Sequence, residues 1–122
     1  MYQLKVEKTI SAGHWIRGHA GLCANPHGHS FRIIISVEGK RLNDLGMLMD
    51  FADLKAEVKI LIENRFDHKV LNEDYTFTMT NPTAENLAET IYHMPWSLPP
   101  GIRVSEVTVY ENENNCASYW EY

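Results

Sequence analysis

His27-Gly28-His29-Ser30-Phe31-Arg32-Ile33-Ile34-Ile35-Ser36-Val37-Glu38-Gly39 joins a β-branched run, Phe31 to Glu38, to two histidines at its entry. The run reads as a strand that Gly39 ends. Side chains alternate across a strand, so His27 and His29 share one face, about 6–7 Å apart along the chain. The glycine between them keeps that approach free of bulk. Two imidazoles so placed suit two ligands of one ion.

Working upstream, the glycines from Gly13 to Gly28, together with Asn25-Pro26, mark an irregular loop. Before it, Leu4, Val6 and Thr9 punctuate polar residues as a first strand would. His14 stands just past that strand, and hairpin pairing brings it to His27 and His29. Three imidazoles without a thiolate quartet suit a catalytic zinc with an open fourth position, although nickel and copper accept the same donors. His19 could replace His14 but sits mid-loop. His93, beside Pro95, reads as a solvated helix end. Cys23 is either a small buried hydrophobe or a reactive thiol; its loop position near the histidines favours a thiolate. Cys116, at or just before the last strand, reads as structural.

Downstream, Met47 to Phe51 reads as an extended piece feeding a helix. Its stripe is Leu54, Val58, Leu61, Ile62 and Phe66, with Asp50 or Asp53 as cap. A loop carries Asp67-His68 and Asn72. Thr83 caps a second helix whose inner face is Ala84, Leu87, Ala88 and Ile91, and Pro95 ends it. Pro99-Pro100-Gly101 turns into a third strand, Ile102 to Glu111. Asn112 to Asn115 forms a hairpin into a fourth, Cys116 to Tyr122. The order β-β-α-α-β-β implies an α+β fold, an antiparallel four-stranded sheet with two helices on one face. Its free edges favour oligomerisation.

Two further groups carry chemistry. Asp67 beside His68 is the pairing that holds an imidazole in one tautomer for proton transfer, or else a solvated turn. Glu111 shares alternation with Val107 and Val109; facing inward it accepts two hydrogen bonds from an N–C–N ring edge, and otherwise it twists to solvent.

A length of 122 residues fits one domain, 1–122. The net charge of −5 argues against non-specific nucleic-acid binding, without excluding a locally basic anion pocket. Two cysteines are too few for a secreted disulfide scaffold of this length, and the N-terminus lacks a signal-peptide pattern. No apolar run approaches the roughly 20 residues that span a bilayer. A cytoplasmic protein is expected.

With these residues in place, the sequence resembles the 6-pyruvoyltetrahydropterin synthase / 6-carboxytetrahydropterin synthase family over nearly its whole length. The carriers are Ser11-Ala12-Gly13-His14, Cys23-x-x-x-His27-Gly28-His29-Ser30-Phe31 and Met49-Asp50-Phe51-Ala52-Asp53-Leu54-Lys55. They continue with Phe66-Asp67-His68-Lys69-Val70-Leu71-Asn72, Asn81-Pro82-Thr83-Ala84-Glu85-Asn86 and Val107-Thr108-Val109-Tyr110-Glu111. Gly13 departs from the family's usual alanine, and Pro26 from the leucine of many bacterial members.

The resemblance implies a tunnelling fold whose subunits close barrels by threes and stack as a homohexamer, a dimer of trimers. It implies zinc on His14, His27 and His29, Cys23 as general base, Asp67 and His68 as relay, Glu111 as pterin anchor, and Thr83 and Glu85 at secondary pterin positions. The implied substrate is 7,8-dihydroneopterin triphosphate. The short chain resembles the carboxy-forming enzymes, which release acetaldehyde and triphosphate for queuosine and deazapurine synthesis, more than the pyruvoyl-forming ones. A branch of folate synthesis with glutamate for the cysteine is disfavoured by Cys23. Arg17, Arg32 and Lys69 are the candidate triphosphate cations. A non-catalytic pterin-binding module with a structural metal, or a metal-buffering protein, are the readings from other classes.

Overall fold

A computed structural model describes residues 1–122. Strand β1 (Tyr2–His14) and strand β2 (His27–Gly39) are 13 residues each. They pair antiparallel without interruption from Tyr2↔Gly39 to His14↔His27. Val6, Ile10, Ala12 and His14 point inward from β1, and Phe31, Ile33, Ile35 and Val37 from β2. Both strands reach further than expected. Gly13, His14, His27 and Gly28 fall in the glycine-rich stretch that reads as loop, since glycine carries little strand propensity, yet the ladder continues through them. Thr9 lies on the outer, exposed face.

The first helix starts at Phe51, where the Asp50 carboxylate accepts from the Ala52 N–H at 2.8 Å. It runs as α-helix over Phe51–Val58, as π-helix over Lys59–Glu63, and ends in a short α turn, Asn64–Phe66. Its buried residues Leu54, Val58, Ile62 and Phe66 recur every four positions. A pure 3.6-residue helix would rotate such a stripe off the core, and the wider π turn brings it back.

Lys69–Val70 then forms β3, parallel to β1 through Ala12↔Lys69 and Gly13↔Val70. The sheet is therefore mixed and five-stranded, in the order β3-β1-β2-β4-β5, rather than four-stranded and antiparallel. Two residues are too few to show alternation. What holds them is the preceding turn, where the His68 N–H donates to the Ser11 carbonyl at 2.6 Å and the Asp67 carboxylate accepts from the Ser11 N–H at 2.8 Å.

The second helix spans Ala84–Tyr92, with Thr83 Oγ1 accepting from the Asn86 N–H as its N-cap. Strands β4 (Arg103–Tyr110) and β5 (Cys116–Tyr119) complete the sheet, each shorter than expected, around a turn in which Asn112 accepts from the N–H groups of Asn114 and Asn115. The core lies between the sheet's inner face and the helices, with Phe31, Phe66, Phe77 and Leu71 fully buried. No helix is long and apolar enough to cross a membrane.

Candidate active site

The end of the β1–β2 hairpin gathers the chemistry. His14 and His27 are a directly opposed pair, and His29 is one inward position further along. Ring centroids lie 4.6 Å apart for His14 and His27, 5.0 Å for His14 and His29, and 4.8 Å for His27 and His29. One ligand atom from each falls within 4.8 Å of the others. Phe31 floors the cluster, edge-on to His14 at 5.4 Å and to His29 at 5.3 Å.

Backbone carbonyls set the tautomers. His14 Nδ1 lies 2.7 Å from the Pro82 oxygen and His27 Nδ1 2.7 Å from the Asn25 oxygen. A carbonyl only accepts, so each Nδ1 carries the proton and each Nε2 presents a lone pair. Nε2 of His14 and of His29 are buried without a hydrogen-bond partner. Glu111 Oε1 faces them at 3.4 and 3.8 Å. Burial holds the His29 pKa below its ordinary value; Glu111 opposes this, while His14 and His27 add to it. Lone pairs and a carboxylate converging without a donor are an arrangement that a cation satisfies. The donor set fits a metal ion.

The loop after β1 is held by two asparagines that act as short strand partners. Asn72 accepts from the Trp15 N–H and donates to its carbonyl, both at 2.9 Å. Asn81 does the same for Arg17, at 2.9 and 3.0 Å. The sequence flagged both asparagines only as parts of motifs; their structural task needed the partner loop to be visible. Cys23 lies in a 3-10 turn, Leu22–Ala24, tethered by the Ile16 N–H donating to its carbonyl at 2.7 Å. Its thiol is exposed, and no hydrogen bond joins it to the imidazoles.

Asp67 Oδ1 is 3.1 Å from His68 Nδ1 while also holding the Ser11 N–H. That backbone hydrogen bond, more than His68, keeps the Asp67 carboxyl below its usual pKa. His68 adopts φ 60°, a strained region that histidine tolerates better than most residues. Its side chain is 80% exposed, free to meet a ligand.

The alternation reading that turns Glu111 inward matches its place beside His14 and His29. Glu85, exposed in the second helix's first turn, shares a cavity of about 190 Å³ with Glu111 and Cys116, while the Thr83 hydroxyl is engaged as the helix cap. Cys116 is thus exposed and lines this cavity rather than packing in the core. His19 stands apart, its Nδ1 accepting from the Gly21 N–H at 2.8 Å. His93 is not merely solvated: its Nε2 lies 3.0 Å from Glu121. Glu121 also accepts from the Tyr119 hydroxyl, which pushes that hydroxyl's pKa up to about 12.

The three candidate cations part company. Arg17 Nη2 donates to the carbonyls of Phe77 and Thr80 at 2.6 and 2.8 Å and serves the loop. Arg32 lies 3.9 Å over the Tyr110 ring, and Lys69 is exposed on β3.

This arrangement has relatives. A family model described as 6-pyruvoyl tetrahydropterin synthase matches residues 3–122. The chain is 38% identical over 96 residues to a 6-carboxy-5,6,7,8-tetrahydropterin synthase of Bacillus subtilis, covering 75% of this chain and 63% of that protein, less than two thirds of its length. A protein of the same name from Synechocystis is 34% identical over 125 residues, covering 98% and 94%. The human 6-pyruvoyl tetrahydrobiopterin synthase is 37% identical over 103 residues, covering 81% and 70%. The solved Caenorhabditis elegans 6-pyruvoyl tetrahydropterin synthase superposes with a TM-score of 0.87 at 25% identity, covering 99% and 96%. The fold is the α+β tunnelling fold, and the chain belongs to the 6-pyruvoyl tetrahydropterin synthase family.

Proposed function

We propose that the protein is a zinc-dependent 6-carboxytetrahydropterin synthase, converting 7,8-dihydroneopterin triphosphate and water to 6-carboxytetrahydropterin, acetaldehyde and triphosphate. The observation that carries this is the convergence of three imidazoles, two with unpartnered Nε2 atoms, beside an aspartate–histidine pair docked on the same strand end. The bacterial relatives named for the carboxy product favour that branch over the pyruvoyl one.

A zinc ion on His14, His27 and His29 would supply Lewis-acid polarisation of the substrate's side-chain oxygens. Glu111 accepts two hydrogen bonds from the N–C–N edge of the pterin ring, with Thr83 and Glu85 on the same side of the site. Cys23, as thiolate, takes a proton from the side chain. His68 carries the second proton, its ring held through Nδ1 by Asp67. The exposure of the Cys23 thiol and of the His68 ring suits groups that meet a ligand.

The site is also proposed to lie between subunits of a homohexamer. The edge of β1 ahead of Ala12 carries no strand partner, and β5 ends the sheet, so two ladders stand open to a second copy. Light scattering on the purified protein measures this directly.

The deciding experiment incubates zinc-loaded protein with dihydroneopterin triphosphate and follows acetaldehyde and 6-pyruvoyltetrahydropterin together. Stoichiometric acetaldehyde supports the proposal. The pyruvoyl product alone assigns the other branch, and binding without turnover makes the chain a pterin-binding module.

A further inference from the structure

We propose that the cavity at the pole of the sheet opposite the histidines binds a small organic anion, with its apolar or ring body on Leu48 and Ile102 and its charged end at Lys40 and Arg41. This site stands apart from the pterin chemistry and does not rest on it.

Three segments build the cavity, of about 810 Å³: the end of β2, the loop that follows it, and the turn that leads into β4. They cross at Gly39. A Cβ there would lie 2.7 Å from Leu48 Cδ1 and 3.3 Å from both the Gly101 carbonyl oxygen and Ile102 Cγ1. Glycine at this position lets the loop and the turn close against the strand end and form a floor. Leu48 is buried there, and Ile102 packs against the same core.

Both walls hold themselves in shape. In the turn, the Ile102 N–H donates to the Pro99 carbonyl at 3.2 Å, and Gly101 takes φ 80°. Pro100 before a glycine of positive φ is what a type II turn requires, and the two prolines leave that wall little freedom. In the loop, Asn43 Oδ1 accepts from the N–H groups of Leu45 and Met47 at 2.9 and 3.1 Å. The Asn43 N–H in turn donates to the Met47 carbonyl at 2.8 Å. A preformed cavity of roughly 300–1,000 Å³, with an apolar floor and a few polar groups at its rim, is the ordinary shape of a small-molecule site.

The charge at the rim is one-sided. The lining holds Lys40, Arg41 and Arg103 against a single carboxylate, Glu38. Arg103 and Glu38 cancel each other, since Nε and Nη2 both donate to Glu38 Oε1, at 2.9 and 2.7 Å. Lys40 and Arg41 are exposed and have no carboxylate within ion-pair distance. The neighbouring depression, with Glu106 and Glu121, shares Glu38 and Arg103 with this one, so that ion pair stands between its acids and the two free cations. Asp44 belongs to the same loop and lies outside the lining. Two unpaired cations above an apolar floor match a ligand that is apolar at one end and anionic at the other; the fork of Arg41 suits a carboxylate or phosphate head.

The test uses the zinc-loaded protein as purified and two fluorescent probes, anilinonaphthalene sulfonate and its uncharged analogue phenylnaphthylamine. The sulfonate is expected to bind at one site per chain. Replacing both cations, Lys40→Gln with Arg41→Gln, should weaken the sulfonate about tenfold and flatten its salt dependence, while the uncharged probe changes by less than about twofold. Leu42→Glu, at an exposed position of the wall, places a carboxylate beside those cations and should weaken the sulfonate at least as much; it carries the test should the double variant not fold. Displacement of the bound sulfonate by benzoate or by phenyl phosphate supports the site and tells a carboxylate head from a phosphate one. Sulfonate binding that none of these substitutions changes, equal loss of both probes in the double variant, or displacement by neither anion overturns the proposal.

Discussion

The Pro82 carbonyl accepts a 2.7 Å hydrogen bond from Nδ1 of His14, so the turn that opens the second helix sets the tautomer of a histidine on the first strand. A ligand held this way loses little freedom when it binds. Metal analysis of purified protein should find one equivalent per chain in wild type. His27→Ala should lower affinity by more than about 100-fold, since it removes a ligand outright rather than a supporting partner. His27 sits half-exposed at the strand tip, so the melting temperature of the metal-free protein should barely move.

Cys23→Ala separates the thiol from the metal. The thiol is not one of the three clustered donors, so bound zinc should match wild type. Turnover of dihydroneopterin triphosphate should drop about 10²–10⁴-fold, the range for loss of a general base. Retained turnover would remove Cys23 from the proposed chemistry.

Asp67→Asn tests the relay. An amide still accepts from the Ser11 N–H but does not favour one imidazole tautomer as a carboxylate does. Turnover is expected to fall about a hundredfold with little change in substrate affinity. A KM rise without a fall in kcat would assign Asp67 to holding β3 on β1.

Asp74 supplies the pH test away from the site. Arg65 donates to both its oxygens at 2.8 Å, and this holds the Asp74 pKa below its ordinary value. A depressed pKa means stability that is fully present above the unfolded-state value and lost as pH falls through the folded one. Asp74→Asn should therefore cost about 1–2 kcal/mol at neutral pH, with the difference from wild type closing below about pH 4. Urea melts at several pH values measure it; a difference that persists at low pH would deny the ion pair this role.

Phe31 joins the core to the site. It is fully buried and touches the rings of His14 and His29. Phe31→Ala should cost about 3–5 kcal/mol, while Phe31→Leu should cost far less and still loosen the metal. Thermal melts paired with a chelator competition tell the two effects apart.

Much of this was legible in the sequence wherever one element carried the signal alone. Alternation around Phe31 to Val37 and the stripe from Leu54 to Phe66 match buried faces because periodicity reports burial directly. Alternation also turned Glu111 to the histidines' side. What stayed hidden depended on contacts between distant segments. Lys69–Val70 becomes a strand only because Ser11 binds the turn before it. Arg17, Arg32 and Lys69 look equivalent in a list of cations, and only the fold gives Arg17 to the carbonyls of Phe77 and Thr80. Cys116 reads as structural from its place at the last strand, whereas the short β5 leaves it exposed at a cavity mouth.

The uninterrupted pairing of β1 with β2 also sets how freely the protein can be altered. Twelve residue steps separate Tyr2 from His14, about 40 Å of strand. The segment following Gly39, with its exposed turn around Asn43 to Gly46, therefore lies at the opposite pole from the histidines. A fluorescent tag, an affinity handle or a tether to a surface can be grafted there without approaching the reacting groups, whereas the tight crossing of Gly39 against Leu48 marks where such a graft must stop.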